Sequence, residues 1–171
     1  MDVFASRWNA QLIKFISWRP QPQAMRVNGF EINWRGLAGY VFPPFALIFK
    51  CLEKIRREKA EVVFICPTWT SQPWFPVLLE LACDVPMMFH QESSLLMSAL
   101  DEIHPLLISN GLHLAAWKLS GDDCVAKDFR QQWSTFSWPE TGRELSTHTV
   151  RHGEIGSIGV CNGVRIPYRQ L

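Results

Sequence analysis

Two groups of residues in this sequence are of types that carry chemistry. The first gathers Asp2, Asn9, Asn28, Phe30, Trp34, the run Phe42-Pro43-Pro44-Phe45, and Pro67, Trp69, Trp74 and Phe75. The aromatic faces of Phe45, Trp69 and Trp74 can stack a nucleobase, a contact that tolerates any base because each has a π-face. The plain alternative is core packing, the default in a chain with 8 Trp and 11 Phe. Likewise Pro43-Pro44 need only end a strand, and Asp2 need only be a surface charge. The second group runs Gly142-Arg-Glu-Leu-Ser-Thr-His148-Thr-Val-Arg151-His152-Gly153 and is followed by Asn162-Gly-Val. His148 and His152 have the i, i+4 spacing of a metal pair with Glu154 nearby, but no third ligand is indicated, so they read as surface histidines and no metal is expected.

These residues need elements to position them. Tyr40-Val-Phe42 reads as a short strand closed by Pro43-Pro44, which cannot donate to a ladder. Phe45, Ile48, Phe49, Leu52 and Ile55 then recur at helical steps, with Lys50 to Lys59 as the solvated face, where Lys54, Arg56, Arg57 and Lys59 could also meet phosphates. Val62 to Cys66 is a β-branched and aromatic run stopped by Pro67, the pattern of a strand buried on both faces. A helix over Trp74 to Cys83 and a strand over Val85 to Phe89 follow. The expected fold is α/β, a doubly wound, mostly parallel sheet with helices on both faces and ligands at the carboxyl ends of its strands. After Gly121 the pattern weakens, which divides the chain into a domain over 1–121, a linker over 122–141 and a segment over 142–171. The glycines between Gly153 and Gly163 predict a poorly ordered or partly helical tail.

Length and composition set the bounds. A chain of 171 residues holds about one domain. With 47% hydrophobic and 19% charged residues it is a folding sequence rather than a charged polymer, and its net charge of +1 lacks the footprint of a strong nucleic-acid binder. No apolar run reaches the roughly 18 residues of a membrane span. Five widely spaced cysteines without a Cys-x-x-Cys pair read as reduced thiols, and hence as an intracellular setting, the nucleus included.

Five stretches together resemble a known family: Asp2-Val-Phe-Ala-Ser-Arg-Trp-Asn9-x-Gln-Leu12, Ser17-Trp-Arg-Pro20, Phe42-Pro-Pro-Phe45, Trp69-x-x-Gln-Pro-Trp-Phe-Pro76 and Ala116-Trp-Lys-Leu-Ser-Gly121. From about Asp2 to Gly121 the chain is similar to the region of DIRS-type retrotransposon polyproteins that follows the ribonuclease H domain and looks like a DNA adenine methyltransferase. That resemblance implies a cleft in which Asp2, Asn28, Phe42 and Pro43 would face S-adenosylmethionine and a flipped adenine. In working enzymes of this kind the run begins with Asp or Asn, whose side chain accepts a hydrogen bond from the exocyclic amine and turns its lone pair toward the methyl group. Here position 42 is Phe, which has no acceptor, and Asn28 stands where an acidic residue is usual. Losing one preorganised contact of this sort commonly costs about 100-fold or more in rate. The first strand is expected to lie largely before Met1.

The second group resembles the His-x-x-Arg box of tyrosine recombinases, which DIRS-type elements encode downstream. The resemblance makes Arg151 a clamp on the scissile phosphate and His148 its neighbour in proton transfer or phosphate contact. The upstream arginine and a suitably placed tyrosine nucleophile are missing, since Tyr168 follows Arg151 too soon. The expectation is therefore a retroelement-derived, non-catalytic DNA-associated module, ancestrally linked to DNA integration and recombination, with no cofactor and no membrane partner. Two alternatives stand beside it: a residual S-adenosylmethionine-dependent adenine methyltransferase, and an inactive structural remnant.

Overall fold

A computed structural model of the chain describes residues 1–90, 95–96, 102–109, 111–134 and 156–171. Its strands are β1 (Asp2–Ala5), β2 (Phe15–Ser17), β3 (Arg26–Val27), β4 (Gly39–Val41), β5 (Glu61–Pro67), β6 (Met87–Met88), β7 (Leu114–Ser120), β8 (Gly156–Cys161) and β9 (Val164–Gln170). The helices are α1 (Ile48–Glu58), α2 (Phe75–Leu81), α3 (Pro105–Ile108) and α4 (Asp123–Ser134), with a 3-10 turn over Phe45–Leu47 leading into α1. The strands form one sheet in the order β3-β2-β1-β4-β5-β7-β6-β9-β8. β3 through β5 run parallel, while β7 is antiparallel to both β5 and β6, and β8 is antiparallel to β9.

The β4–α1–β5 unit forms as its sequence pattern predicts. Ile48, Cys51, Leu52 and Ile55 of α1 are buried at helical spacing and pack on Val62, Phe64 and Cys66, the alternate residues of β5. Opposite these on β7 stand Leu119, Trp117 and Ala115, so one face of the β5–β7 pair belongs wholly to the main core. α2 and α4 add Phe75, Leu78, Leu79 and Phe129 to that core. Each such fully buried side chain stabilises the fold by roughly 1.5–3 kcal/mol.

The structure differs from the sequence-based expectation in three respects. The sheet is mixed, with five parallel and three antiparallel strand pairings among the described residues, and is not clearly doubly wound. Among the described residues the three long helices share one face, and the other carries only α3, whose Leu107 joins Ile65, Leu112 and Leu114 in a smaller cluster. The reason lies in the connections: residues 6–14 and 18–25 join parallel strands by turns alone, where a crossover usually needs a dozen or more residues and a helix. Second, Asp2–Ala5 is itself a strand, flanked on both sides by β2 and β4.

Third, the proposed 122–141 linker contains α4, and residues 156–171 are no loose tail. α4 starts because Asp122 accepts the Cys124 N–H at 3.0 Å, an N-cap, and Ala126, Phe129 and Arg130 then repeat on its buried side. β8 and β9 form a hairpin that extends the sheet through β9 and β6. Its turn is Asn162-Gly163, with φ of 50° and 78°, the left-handed pair that a two-residue hairpin loop requires.

Candidate functional site

A cleft of about 720 Å³ opens at the carboxyl ends of β1, β4 and β5. The chain leaves β1 toward β2 and β3 on one side and returns to β4 on the other, so this is the point where the strand order reverses and where open α/β sheets hold ligands. Asp2 and Phe4 come from β1, Asn9 and Gln11 from the loop after it, and Tyr40, Phe42, Pro43, Pro44 and Phe45 from the end of β4 and its exit. Ile65, Phe89, Leu95, Leu96, His104 and Leu114 complete the wall. The proline pair ends β4 and turns the chain across the mouth, and the 3-10 turn then presents Phe45. Its ring meets the Trp69 ring edge-on at 5.1 Å, and His104 lies 6.4 Å away.

Among the described residues that line the cleft, Asp2 is the one acidic group. It is 3% exposed and pairs in register with Tyr40. Burial pushes its carboxyl above the usual carboxylate range, against the Gln11 N–H at 3.0 Å and the Phe4 N–H, which favour the charged form. Burial also raises the Tyr40 phenol, and the negative charge of Asp2 raises it further. An acid whose folded value is raised stabilises the fold fully below its unfolded value, and that contribution is lost as pH rises through the raised one. Asp2→Asn, which keeps an acceptor for Gln11, is therefore expected to melt a few degrees above the parent at neutral pH. The difference should vanish on acidification to the unfolded carboxylate value of about 4. Thermal melts between those limits check this; a lower neutral melting point for the variant means that the Asp2 charge is held by partners strong enough to outweigh its burial.

Phe42, Pro43 and Phe45 stand with Asp2 as the sequence groups them, but other named residues do not. Asn28 is a turn residue with φ of 59°: its side chain accepts the Phe30 N–H at 3.2 Å and donates to Glu31 at 2.8 Å, and it does not line the cleft. Trp74 is buried in the main core. Trp69 braces Phe45 from behind, its Nε1 donating to the Gly111 carbonyl at 3.1 Å, and forms no part of the cleft wall. Trp74 and Trp69 thus pack against the fold rather than line this cleft. His148 and Arg151 lie outside the described residues. Tyr40, Gln11 and His104 are cleft residues that sequence reasoning missed. Tyr40 had a signal, standing two residues before Phe42 on a strand, whereas nothing local in the sequence brings His104 to β4.

The supposed solvated face of α1 also needs correction. Lys54 is 4% exposed; its Nζ donates to Glu58 at 2.6 Å and to the Phe30 carbonyl at 3.1 Å. Glu58 in turn accepts the Trp34 N–H at 2.7 Å, and Trp34 Nε1 donates to the Gly29 carbonyl at 2.7 Å. This pair pins the loop that delivers the chain into β4, so it cannot reach a phosphate.

The residues at the cleft do not fit S-adenosylmethionine in the way a nucleotide-binding sheet does. Such a site needs a glycine turn after the first strand, so that backbone can approach the ligand, and a helix N-terminus behind it. Here the turn is Ser6-Arg7-Trp8-Asn9-Ala10, and no helix precedes β2. Its donors are spent internally: the Asn9 and Ala10 N–H groups both reach the Ser6 carbonyl, at 3.2 and 3.0 Å, and Ser6 N–H reaches Asn9 Oδ1 at 2.6 Å. What remains is a half-open aromatic slot with one buried acid, suited to a planar heteroaromatic ring carrying a donor. Among the described residues no three His, Cys, Asp or Glu side chains are grouped to hold a metal ion, and no helix is long and apolar enough to cross a membrane. No protein-family model, curated protein or solved structure matches the chain.

Proposed function

We propose that this chain is a non-catalytic, DNA-associated module descended from the methyltransferase-like region of a DIRS-type retrotransposon polyprotein, and that its cleft takes a single unpaired purine base. The observation that carries this reading is the meeting of Asp2, Phe42, Pro43 and Phe45 in one cleft at the β1/β4 reversal. The chemistry supports the loss of activity. At the end of β4 a phenyl ring occupies the position where methyl transfer to adenine wants an oxygen, and the turn after β1 cannot seat the methyl donor.

Titration calorimetry separates the readings. Adenosine, at about 0.3 kcal/mol for each of its non-hydrogen atoms, is expected to bind near 0.1 mM. Phe45→Ala should abolish that heat, while S-adenosylmethionine should give no signal beyond that of adenosine alone. Transfer of labelled methyl groups from that donor to adenine-containing oligonucleotides should stay at background for the parent and for Phe42→Asp alike. Methyl incorporation by the unmodified chain would establish the residual-enzyme alternative, and absence of any adenosine heat would leave the cleft without its proposed occupant.

A further inference from the structure

Beside the cleft, on the same edge of the sheet, the loops after β1 and β2 carry a surface that the fold does not use. Ala5 and Ser17 are register partners, so the two loops start at one level, and the Arg7 N–H donates to Gln21 Oε1 at 3.0 Å, tying them together. Trp8 and Trp18 project from these loops 75% and 62% exposed, although most large aromatic rings among the described residues are packed away. The Arg7 guanidinium lies 4.0 Å over the Trp8 ring, and Arg19 follows Trp18 directly. Charge is segregated too. Residues 3–30 hold four cations, Arg7, Lys14, Arg19 and Arg26, and no acid, which leaves 13 Lys and Arg against 16 Asp and Glu in the rest of the chain. The near-neutral total thus hides a basic lobe on an otherwise acidic protein.

We infer that this rim is a binding track for single-stranded nucleic acid, on which Trp8 and Trp18 stack two unpaired bases and Arg7 and Arg19 meet the backbone phosphates. Exposed aromatic platforms beside cations are how proteins hold single strands without reading sequence, and guanidinium on indole adds to both contacts. A duplex hides its base faces, so the platforms select against it. The track rests on the proposed function for its neighbour: a strand lying on Trp8 and Trp18 passes Asn9 and Gln11, which line the cleft, and would present its next base to Phe45.

The test uses the full chain and three probes: oligothymidylate of 12 nucleotides, free adenosine, and anionic phosphatidylserine vesicles. Oligothymidylate should quench tryptophan fluorescence, and an unlabelled duplex of equal length should compete poorly. Trp8→Ala and Trp18→Ala should each weaken oligonucleotide binding about tenfold. Arg7→Ala and Arg19→Ala should each reduce the slope of log affinity against log salt by about 0.7. All four variants should melt with the parent and leave adenosine binding within about twofold, which separates the rim from the cleft. Rim-dependent oligonucleotide binding without adenosine binding would uphold the track and sink the cleft reading. No oligonucleotide binding, binding indifferent to Trp8 and Trp18, equal preference for duplex, or rim-dependent capture by vesicles alone would overturn the track.

Discussion

Glu58→Ala is expected to lower the free energy of unfolding by about 3–5 kcal/mol and the melting temperature by roughly 10 °C. The substitution strands two groups at once. Lys54 keeps its place at 4% exposure with only the Phe30 carbonyl to accept from it, and the Trp34 N–H loses its acceptor. An ammonium left buried without its counter-charge costs far more than an intact pair contributes, so Lys54→Met/Glu58→Leu should recover most of the loss. Acid supplies a second signature. Burial pushes the Glu58 carboxyl up, but the hydrogen bonds from Lys54 and the Trp34 N–H and the Lys54 charge together hold it below the usual range. Its contribution is therefore complete above the unfolded glutamate value of about 4.3 and is lost as pH falls through the lower folded value. Urea titrations of parent and variant should converge on acidification. A neutral-pH difference under about 1 kcal/mol, or one that does not shrink in acid, would show that the pair does not hold the loop.

Much of the fold was legible because local rules and tertiary demands agreed. The amphipathic period of α1, the β-branched run of β5 and the Pro43-Pro44 stop each have one reading, and each element stands where its pattern puts it. The failures have separate causes. Leu114 to Ser120 reads as well in either direction, because the reversed sense of β7 is set by its seven register partners on β5 and by nothing in its own residues. The glycines after Gly153 suggested a loose tail, yet Asn162-Gly163 between Ser157-Ile158-Gly159-Val160-Cys161 and Val164-Arg165-Ile166 is a two-residue hairpin turn by its chemistry. Lys54 was assigned to solvent because helical spacing places it beside charged neighbours, and only the loop that folds over α1 makes it a buried donor.

The cleft was half legible for a related reason. Phe42, Pro43 and Phe45 follow the carboxyl end of β4, where the proline pair marks the site, and the sheet brings them to Asp2 at the start of β1. Trp69 and Trp74 looked equivalent to Phe45 by residue type, but stacking needs a free face, and whether a ring has one depends on what packs behind it. The same test reverses the standing of Trp8 and Trp18, which carried no separate weight as letters in a matched stretch and become the most exposed indoles among the described residues once β1 and β2 are joined without a helix. A sheet whose parallel strands are joined without crossover helices has no donor-rich helix start there to seat a nucleotide phosphate, and has bare loops that can meet a strand from outside.

Gly121→Ala is expected to destabilise the chain by about 3–4 kcal/mol, because the new methyl group has only backbone to push against. A Cβ at this position would overlap the Ile55 carbonyl oxygen and stand 2.8 Å from both the Ile55 carbonyl carbon and Lys59 Cα. Those atoms form the last turn of α1, which closes with Lys59 in the left-handed region at φ 51° and with the Ala60 N–H on the Ile55 carbonyl at 3.1 Å. They cannot rotate aside as a side chain would. The end of β7 must retreat from α1, which breaks the bond from the Gly121 N–H to the Ala60 carbonyl at 2.9 Å. Gly39→Ala is the control: its Cβ would meet side chains only, the nearest being Val62 Cγ1 at 3.3 Å, and should cost about 1 kcal/mol or less. The consequence reaches the site, since α1 begins three residues after Phe45 and ends against Gly121 as one rigid body. Displacing its carboxyl end tilts the turn that presents the Phe45 ring. Adenosine affinity should therefore fall in Gly121→Ala at temperatures where the variant is still folded, and remain unchanged in Gly39→Ala. Equal urea midpoints for the two variants would mean that β7 does not rest on α1 as closely as the geometry requires.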